Sequence, residues 1–235
     1  MCKIALLTVL ALALTPSLSV SLSDKPYLTA GQVDFLGLVA PPPSEDSPAG
    51  KRDLQTILDL QQKMAPELMA AIQADTELTV YRVAGEVLGP NFAKARFPLA
   101  AVFFAKINEE KAIGVGAVKE KYKRLRPFQY SKDVKTPENI TKDSNSATYP
   151  SGHCTFGAEA ALLLGMMAPE KRVALYTRAR EYDLHRITSG AAFPSDCEAG
   201  HIVATLIVNQ MMKNPAFRAD YEAVKAEVRK GLQLP

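Results

Sequence analysis

His185-Arg186-Ile187-Thr188-Ser189-Gly190-Ala191-Ala192-Phe193-Pro194-Ser195-Asp196 joins one helical pattern to the next. Ser189-Gly190 makes a turn that brings the chain back, and Pro194 suits the first position of the following helix, where a missing N–H costs little. Asp196 then falls in that helix's first turn, one helical turn beyond position 192, where a carboxylate meets the positive end of the helix dipole. Arg186 offers a planar fork of donors suited to an oxyanion. Taken alone, Asp196 is equally an ordinary acid at a helix N-terminus.

Upstream, Pro150-Ser151-Gly152-His153 stands before an apolar helical run. Ser151 is an N-cap candidate, Gly152 allows close approach of the backbone, and the first-turn N–H groups form an anion site beside the His153 ring. A capped helix with a half-buried histidine would use the same residues. Further upstream, Lys119 and Arg126 are seven steps apart, which on a continuous helix returns both to nearly one face after about 700°. Pro127 disfavours helical geometry at Arg126 and turns it away from the helix. A point charge and a planar fork complement one another on phosphate. Lys119, Lys121, Lys123 and Arg124 also read as a solvated basic face.

Around these segments the periodicity is helical throughout. Residues 28–39 suit a short helix, and Asp53 suits the N-cap of a helix carrying Leu54, Ile57, Leu58, Leu60 and Met64. Helical patterns follow at 75–88, 91–108, 113–125, 154–167, 170–184, 194–213 and 216–232, with alternating strand patterns nearly absent. The proline-rich stretch 41–50 reads as non-helical, and the polar stretch 131–149 as a long connection bordering a site. The expectation is an all-α, single-domain helical bundle.

Length, 47% hydrophobic and 23% charged residues suit one globular domain, and a formal charge of +3 gives no support for a nucleic-acid partner. The N-terminus reads as a signal peptide over residues 1–23: Lys3 opens it, an apolar run covers 4–14, and small residues place cleavage after Ser19 or Ser23. No later run reaches the roughly 18 apolar residues of a membrane span. Cys154 and Cys197 follow His153 and Asp196 directly; in an exported chain they pair as a disulfide or remain buried thiols. Oligomeric state, a homo-oligomer included, is left open.

Lys119-x6-Arg126-Pro127, Pro150-Ser151-Gly152-His153 and Arg186-x9-Asp196, in that order, resemble the three-part signature of the bacterial class A non-specific acid phosphatases, of the PAP2 and vanadium haloperoxidase-like superfamily. Tyr27-Leu28-Thr29-Ala30, the proline stretch and Asp53-Leu54 extend the resemblance over nearly the whole mature chain, residues 24–235. It implies an exported enzyme, periplasmic or secreted, that hydrolyses phosphate monoesters at acidic pH through a phosphohistidine, without metal or cofactor. Carried over, Lys119, Arg126, Ser151, Gly152 and Arg186 bind phosphate, His153 protonates the leaving group, and Asp196 orients the nucleophile. Two positions depart from the pattern: His185 stands where the family has serine, and Ala192 where it has the nucleophilic histidine. The preferred reading is a histidine-to-alanine variant of an active phosphatase, inactive or substrate-trapping. A natural phosphate-binding pseudoenzyme is the alternative. A vanadium-dependent haloperoxidase comes third, because it bonds vanadate through that same histidine.

Overall fold

The computed structural model describes residues 21–141 and 145–235, so the signal-peptide reading lies outside the described residues except at its last three positions. The described chain forms α1 (Phe35–Leu38), α2 (Pro48–Gln62), α3 (Leu68–Ala74), α4 (Val80–Leu88), α5 (Pro98–Glu110), α6 (Ala112–Tyr122), α7 (Pro127–Tyr130) and α8 (Glu138–Thr141). Then come α9 (Gly152–Met167), a 3-10 turn (Pro169–Lys171), α10 (Arg172–Thr188), α11 (Pro194–Met211) and α12 (Pro215–Gly231), with no strand among the described residues. The architecture is the expected all-α bundle.

Helix α9 lies at its centre because its sequence is predominantly apolar, with small and aliphatic residues on every side, and such a helix has little face to offer water. Ser151 caps it by accepting from the Cys154 amide at 3.3 Å, and it is buried along nearly its whole length. Its most extensive neighbours are α10 and α11. Gly200 lets α11 approach: a Cβ there would stand 3.0 Å from the Ser151 carbonyl oxygen. The main core gathers Phe97, Phe103, Phe104, Phe156 and Phe217 with Tyr27; a smaller apolar cluster joins Ile57, Val134, Ile187, Ala192 and Phe193 to a disulfide between Cys154 and Cys197. That disulfide ties the first turns of α9 and α11 together.

The N-terminal strap is part of this domain. The Ser23 amide donates to Asp220 Oδ2 (2.9 Å), and the Tyr27 hydroxyl to the same oxygen (2.6 Å). The Tyr27 and Leu28 amides donate to Glu110, and Lys106 Nζ donates to the Ser23 carbonyl (2.6 Å). Strap, α5 and α12 are thereby joined.

Several boundaries differ from the sequence expectations. Helix α2 starts not at Asp53 but at Pro48, capped by Ser47, because proline is tolerated at a first helical position; Asp53 is buried inside the helix. The 28–39 helix contracts to one turn capped by Asp34. Asp75 closes α3 rather than opening α4, which Thr79 caps, and α5 waits for Pro98. Helix α10 runs on past 184 to Thr188. Helix α6 ends at Tyr122, where Lys123 takes a left-handed conformation (φ 45°), so Lys119 and Arg126 do not share one helix.

That early stop turns Arg124 inward, where the sequence had offered a solvated face. Its Nη1 donates to Asp196 Oδ1 (2.7 Å) and Ser195 Oγ (2.8 Å), and its Nη2 to Asp53 Oδ2 (3.0 Å). The guanidinium lies 4.1 Å over the Phe193 ring, and all three charged side chains are buried. One arginine therefore pins α2 and α11 to the segment after α6. Removing one member of a buried ion cluster strands the others, at about 3–5 kcal/mol. Arg124→Met is expected to lower unfolding stability by that amount in urea titration; a loss below about 1 kcal/mol would show the cluster to be dispensable.

Candidate active site

Four segments meet at the N-terminal ends of α9 and α11. The first is the end of α6 with the turn after it. Lys119 Nζ donates to the Ala147 carbonyl. Burial, then the neighbouring Arg126, holds its pKa down to about 7, with Asp196 pulling the other way and Lys111 adding to the depression. Arg126 is extended, as a residue before proline should be, and its Nη1 donates to the Ala191 carbonyl at 2.8 Å. Its Nε and Nη2 donate to Ser146 O and Oγ at 3.1 and 2.6 Å. The two cations converge through a chain reversal and not through helical spacing.

The second segment, residues 145–150, supplies Thr148. Its hydroxyl donates to Asp196 Oδ2 at 2.7 Å, and its amide to the Arg124 carbonyl at 3.0 Å. The third is the start of α9. The Ser151 amide donates to the Asp196 carbonyl (2.9 Å), while its hydroxyl is engaged as the helix cap. At Gly152 an added Cβ would make only an ordinary contact, 3.7 Å from Lys111 Cε, so packing does not demand the glycine. His153 is stacked on Tyr182 (centroids 6.2 Å, planes 23° apart), and its Nε2 lies 3.3 Å from the Thr76 carbonyl. Since a carbonyl only accepts, that nitrogen carries the proton. Burial, then the charge of Arg186, holds the imidazole well below its usual pKa; the Thr76 bond opposes this, and Lys111 and Arg126 reinforce it.

The fourth segment runs from the end of α10 into α11. The Arg186 side chain is buried; its carbonyl accepts from the Ala191 and Ala192 amides at 3.1 and 3.3 Å, closing the turn in which Gly190 adopts φ 71°. Ala192 is buried against the smaller apolar cluster. The Asp196 carboxylate, which the sequence assigns to orienting a side chain at 192, receives Arg124, Thr148 and the Phe193 amide (2.7 Å). Burial pushes its pKa up; Arg124, Thr148 and the Phe193 amide work against this. Its first structural task is to hold the site's walls together.

Lys119, Arg126, His153, Arg186 and Asp196 thus lie in one interacting group, as the three motifs together suggested. The other candidates for position 192's chemistry are occupied elsewhere. His185 Nδ1 is 2.6 Å from Asp75 Oδ2, His201 Nε2 is 2.7 Å from Asp183 Oδ2, and both described cysteines are in the disulfide. Sequence reading missed Arg124, Asp53 and Thr148. Only the recurrence of Asp53-Leu54 within the resemblance hinted at any of them. Chemically, the arrangement is a partly buried cluster of cations beside a helix N-terminus, suited to a compact oxyanion.

Comparison with known proteins agrees with that chemistry. The chain is 29% identical over 204 residues to an acid phosphatase of Zymomonas mobilis subsp. mobilis, covering 84% of this chain and 76% of that one. It is 28% identical over 213 residues to a non-specific acid phosphatase of Providencia stuartii (88% and 86% covered). A non-specific acid phosphatase of Salmonella typhimurium is 27% identical over 193 residues (80% and 77% covered). The sequence model of the PAP2 superfamily matches residues 98–219, a span running from the start of α5 into α12 that carries all four segments of the site. By that match over more than half its length, the chain belongs to the PAP2 superfamily.

Proposed function

We propose that this chain is an exported protein of the acid-phosphatase type that binds phosphate monoesters and inorganic phosphate, and that as written it lacks the nucleophile needed to turn them over. The observation that carries this reading is the convergence of Lys119, Arg126 and Arg186 beside His153 at the N-terminal ends of α9 and α11. These cations stand together in a partly buried space, and a dianion placed among them would be held by all three. Lys119, Arg126 and Arg186 are assigned to the phosphate oxygens, with the α9 N-terminus at Ser151 and Gly152 completing the cradle. His153 is assigned to protonation of the leaving oxygen. Burial, then Arg186, lowers its pKa in the free protein, and the arriving dianion would raise it again and so recruit the acidic proton.

Export is part of the proposal. Among the described residues no helix is long and apolar enough to cross a membrane. Of the two cleavage positions read from sequence, the one after Ser19 is favoured. Ser23 gives its amide to Asp220 and its carbonyl accepts from Lys106, so a cut after Ser23 would remove two of the strap's bonds. N-terminal sequencing of the exported protein is expected to begin at Val20; a start at Asp24 would reverse this assignment.

Linkage makes binding testable without catalysis. If the anion raises the pKa of Lys119 from about 7, affinity must strengthen as pH falls through that value, by up to about tenfold per pH unit for each proton taken up. Sulfate, which keeps both charges through this range, is the suitable probe. Calorimetry should show its affinity rising between pH 8 and 6 with proton uptake, and Lys119→Met should remove the step near pH 7. Binding that is absent, or flat across this range, would refute the cradle.

Catalysis is tested by restoring the missing ring. In Ala192→His, an imidazole nitrogen would attack phosphorus, the ester P–O bond would break, and His153 would give its proton to the departing oxygen; water would then hydrolyse the phosphohistidine. A positioned nucleophile is worth about 10⁴- to 10⁶-fold, so p-nitrophenyl phosphate turnover should rise from near background by that order. Full activity in the unaltered chain would show that position 192 is not the nucleophile's place, and would favour neither the variant nor the pseudoenzyme reading.

A further inference from the structure

Asp75 is fully buried at the end of α3, outside every motif of the site, yet three side chains converge on its carboxylate. Arg82 Nε of α4 reaches Oδ1 at 2.5 Å. Arg178 Nη2 of α10 reaches Oδ1 and Oδ2 at 2.8 and 2.9 Å, and His185 Nδ1 of α10 reaches Oδ2 at 2.6 Å. Burial works to raise the Asp75 pKa, but His185, Arg178 and Arg82 together leave it below the usual carboxylate value. An ion cluster of this kind fixes geometry, because each donor left unpaired in the interior would be costly.

What it fixes is the next residue. The turn after α3 closes on itself: Asp75, Thr76 and Glu77 amides donate to Ala71, Gln73 and Ala74 carbonyls at 2.9, 3.2 and 3.1 Å. Thr76 then presents its carbonyl to His153 Nε2, and the Tyr182 hydroxyl, whose ring stacks on His153, donates to the Glu77 carbonyl at 3.4 Å. Helix α10 enters the arrangement twice: His185 goes to Asp75, while Arg186, one residue on, goes into the site. An imidazole whose Nε2–H is held by a backbone carbonyl has its ring plane and tautomer set, leaving Nδ1 as the nitrogen open to a ligand.

We propose that Asp75, with Arg82, Arg178 and His185, is a positioning residue for His153, holding the Thr76 carbonyl so that the ring faces bound phosphate through a single nitrogen. The inference rests on His153 being the proton donor proposed above, but its test does not depend on turnover. The full-length protein contains three histidines, so ring nitrogens can be followed individually after ¹⁵N labelling, with His153→Gln giving the assignment. In the unaltered chain His153 should show one tautomer, protonated on Nε2. In Asp75→Asn that signal should move toward a mixture of tautomers, while sulfate affinity stays within about threefold because the anion's own ligands are untouched.

In the Ala192→His background, Asp75→Asn should slow alkyl phosphates at least about tenfold more than p-nitrophenyl phosphate, since only a poor leaving group needs the proton. A folded Asp75→Asn protein with an unchanged His153 spectrum would overturn the proposal. So would an equal loss on both substrates, or a collapse of sulfate binding. Should Asp75→Asn not fold, His185→Asn, which leaves both arginines on the carboxylate, is read by the same spectrum: a shift toward mixed tautomers supports the proposal and no shift overturns it. Should Ala192→His be inactive, the catalytic reading fails while the spectrum still decides this one.

Discussion

The buried guanidinium of Arg124 is the interaction on which the rest of the site depends. A single planar group reaches Asp53 in α2, Asp196 and Ser195 in α11, and covers Phe193. Asp196 passes the constraint on through Thr148 and the Phe193 amide. Three chain segments without local reason to meet are thereby held in one register. Here two buried carboxyl groups share one arginine, which sets the spot apart from the neighbouring group of cations.

That contrast explains how one small region can hold charge of both signs. On the side of Asp53 and Asp196, the charges satisfy one another and contribute rigidity. On the side of Lys119, Arg126 and Arg186, like charges stand together, and burial first, then these neighbouring charges, lowers the proton affinity of Lys119 and His153. The energy that holds such a site in place must come from elsewhere. The apolar helix α9, the close approach at Gly200 and the Cys154–Cys197 disulfide supply it. Rigidity and the gathering of cations are thus separated between neighbouring elements of a single bundle.

The sequence was legible where chemistry and local periodicity coincide. The helices after residue 150 were visible because their apolar spacing and their caps agree, as at Ser151 and Pro194. Legibility failed where a residue's role is set by a distant partner. Lys119 and Arg126 do come together, but the reasoning from one continuous helix was mistaken, since Lys123 breaks it in a left-handed turn. Asp53 was read as a cap and Arg124 as part of a solvated face, because nothing local marks a buried ion pair joining residues 71 positions apart. Pro48 was read as excluding a helix when it begins one. The Thr76 carbonyl that meets His153 is a backbone group, and no side-chain pattern announces it.

The strap that joins Ser23 and Tyr27 to Asp220 has a consequence for how the molecule comes into being. The bonded residues stand 197 and 193 positions apart, so the strap finds its partner only when the last helix is available. Closing so long a loop places the contact late in folding. A chain emerging from the ribosome from its N-terminus would therefore carry an unfinished edge until synthesis was nearly complete. Under the export proposed above, an incomplete bundle is a threadable one: delayed closure would keep the polypeptide flexible while it still had a membrane to pass.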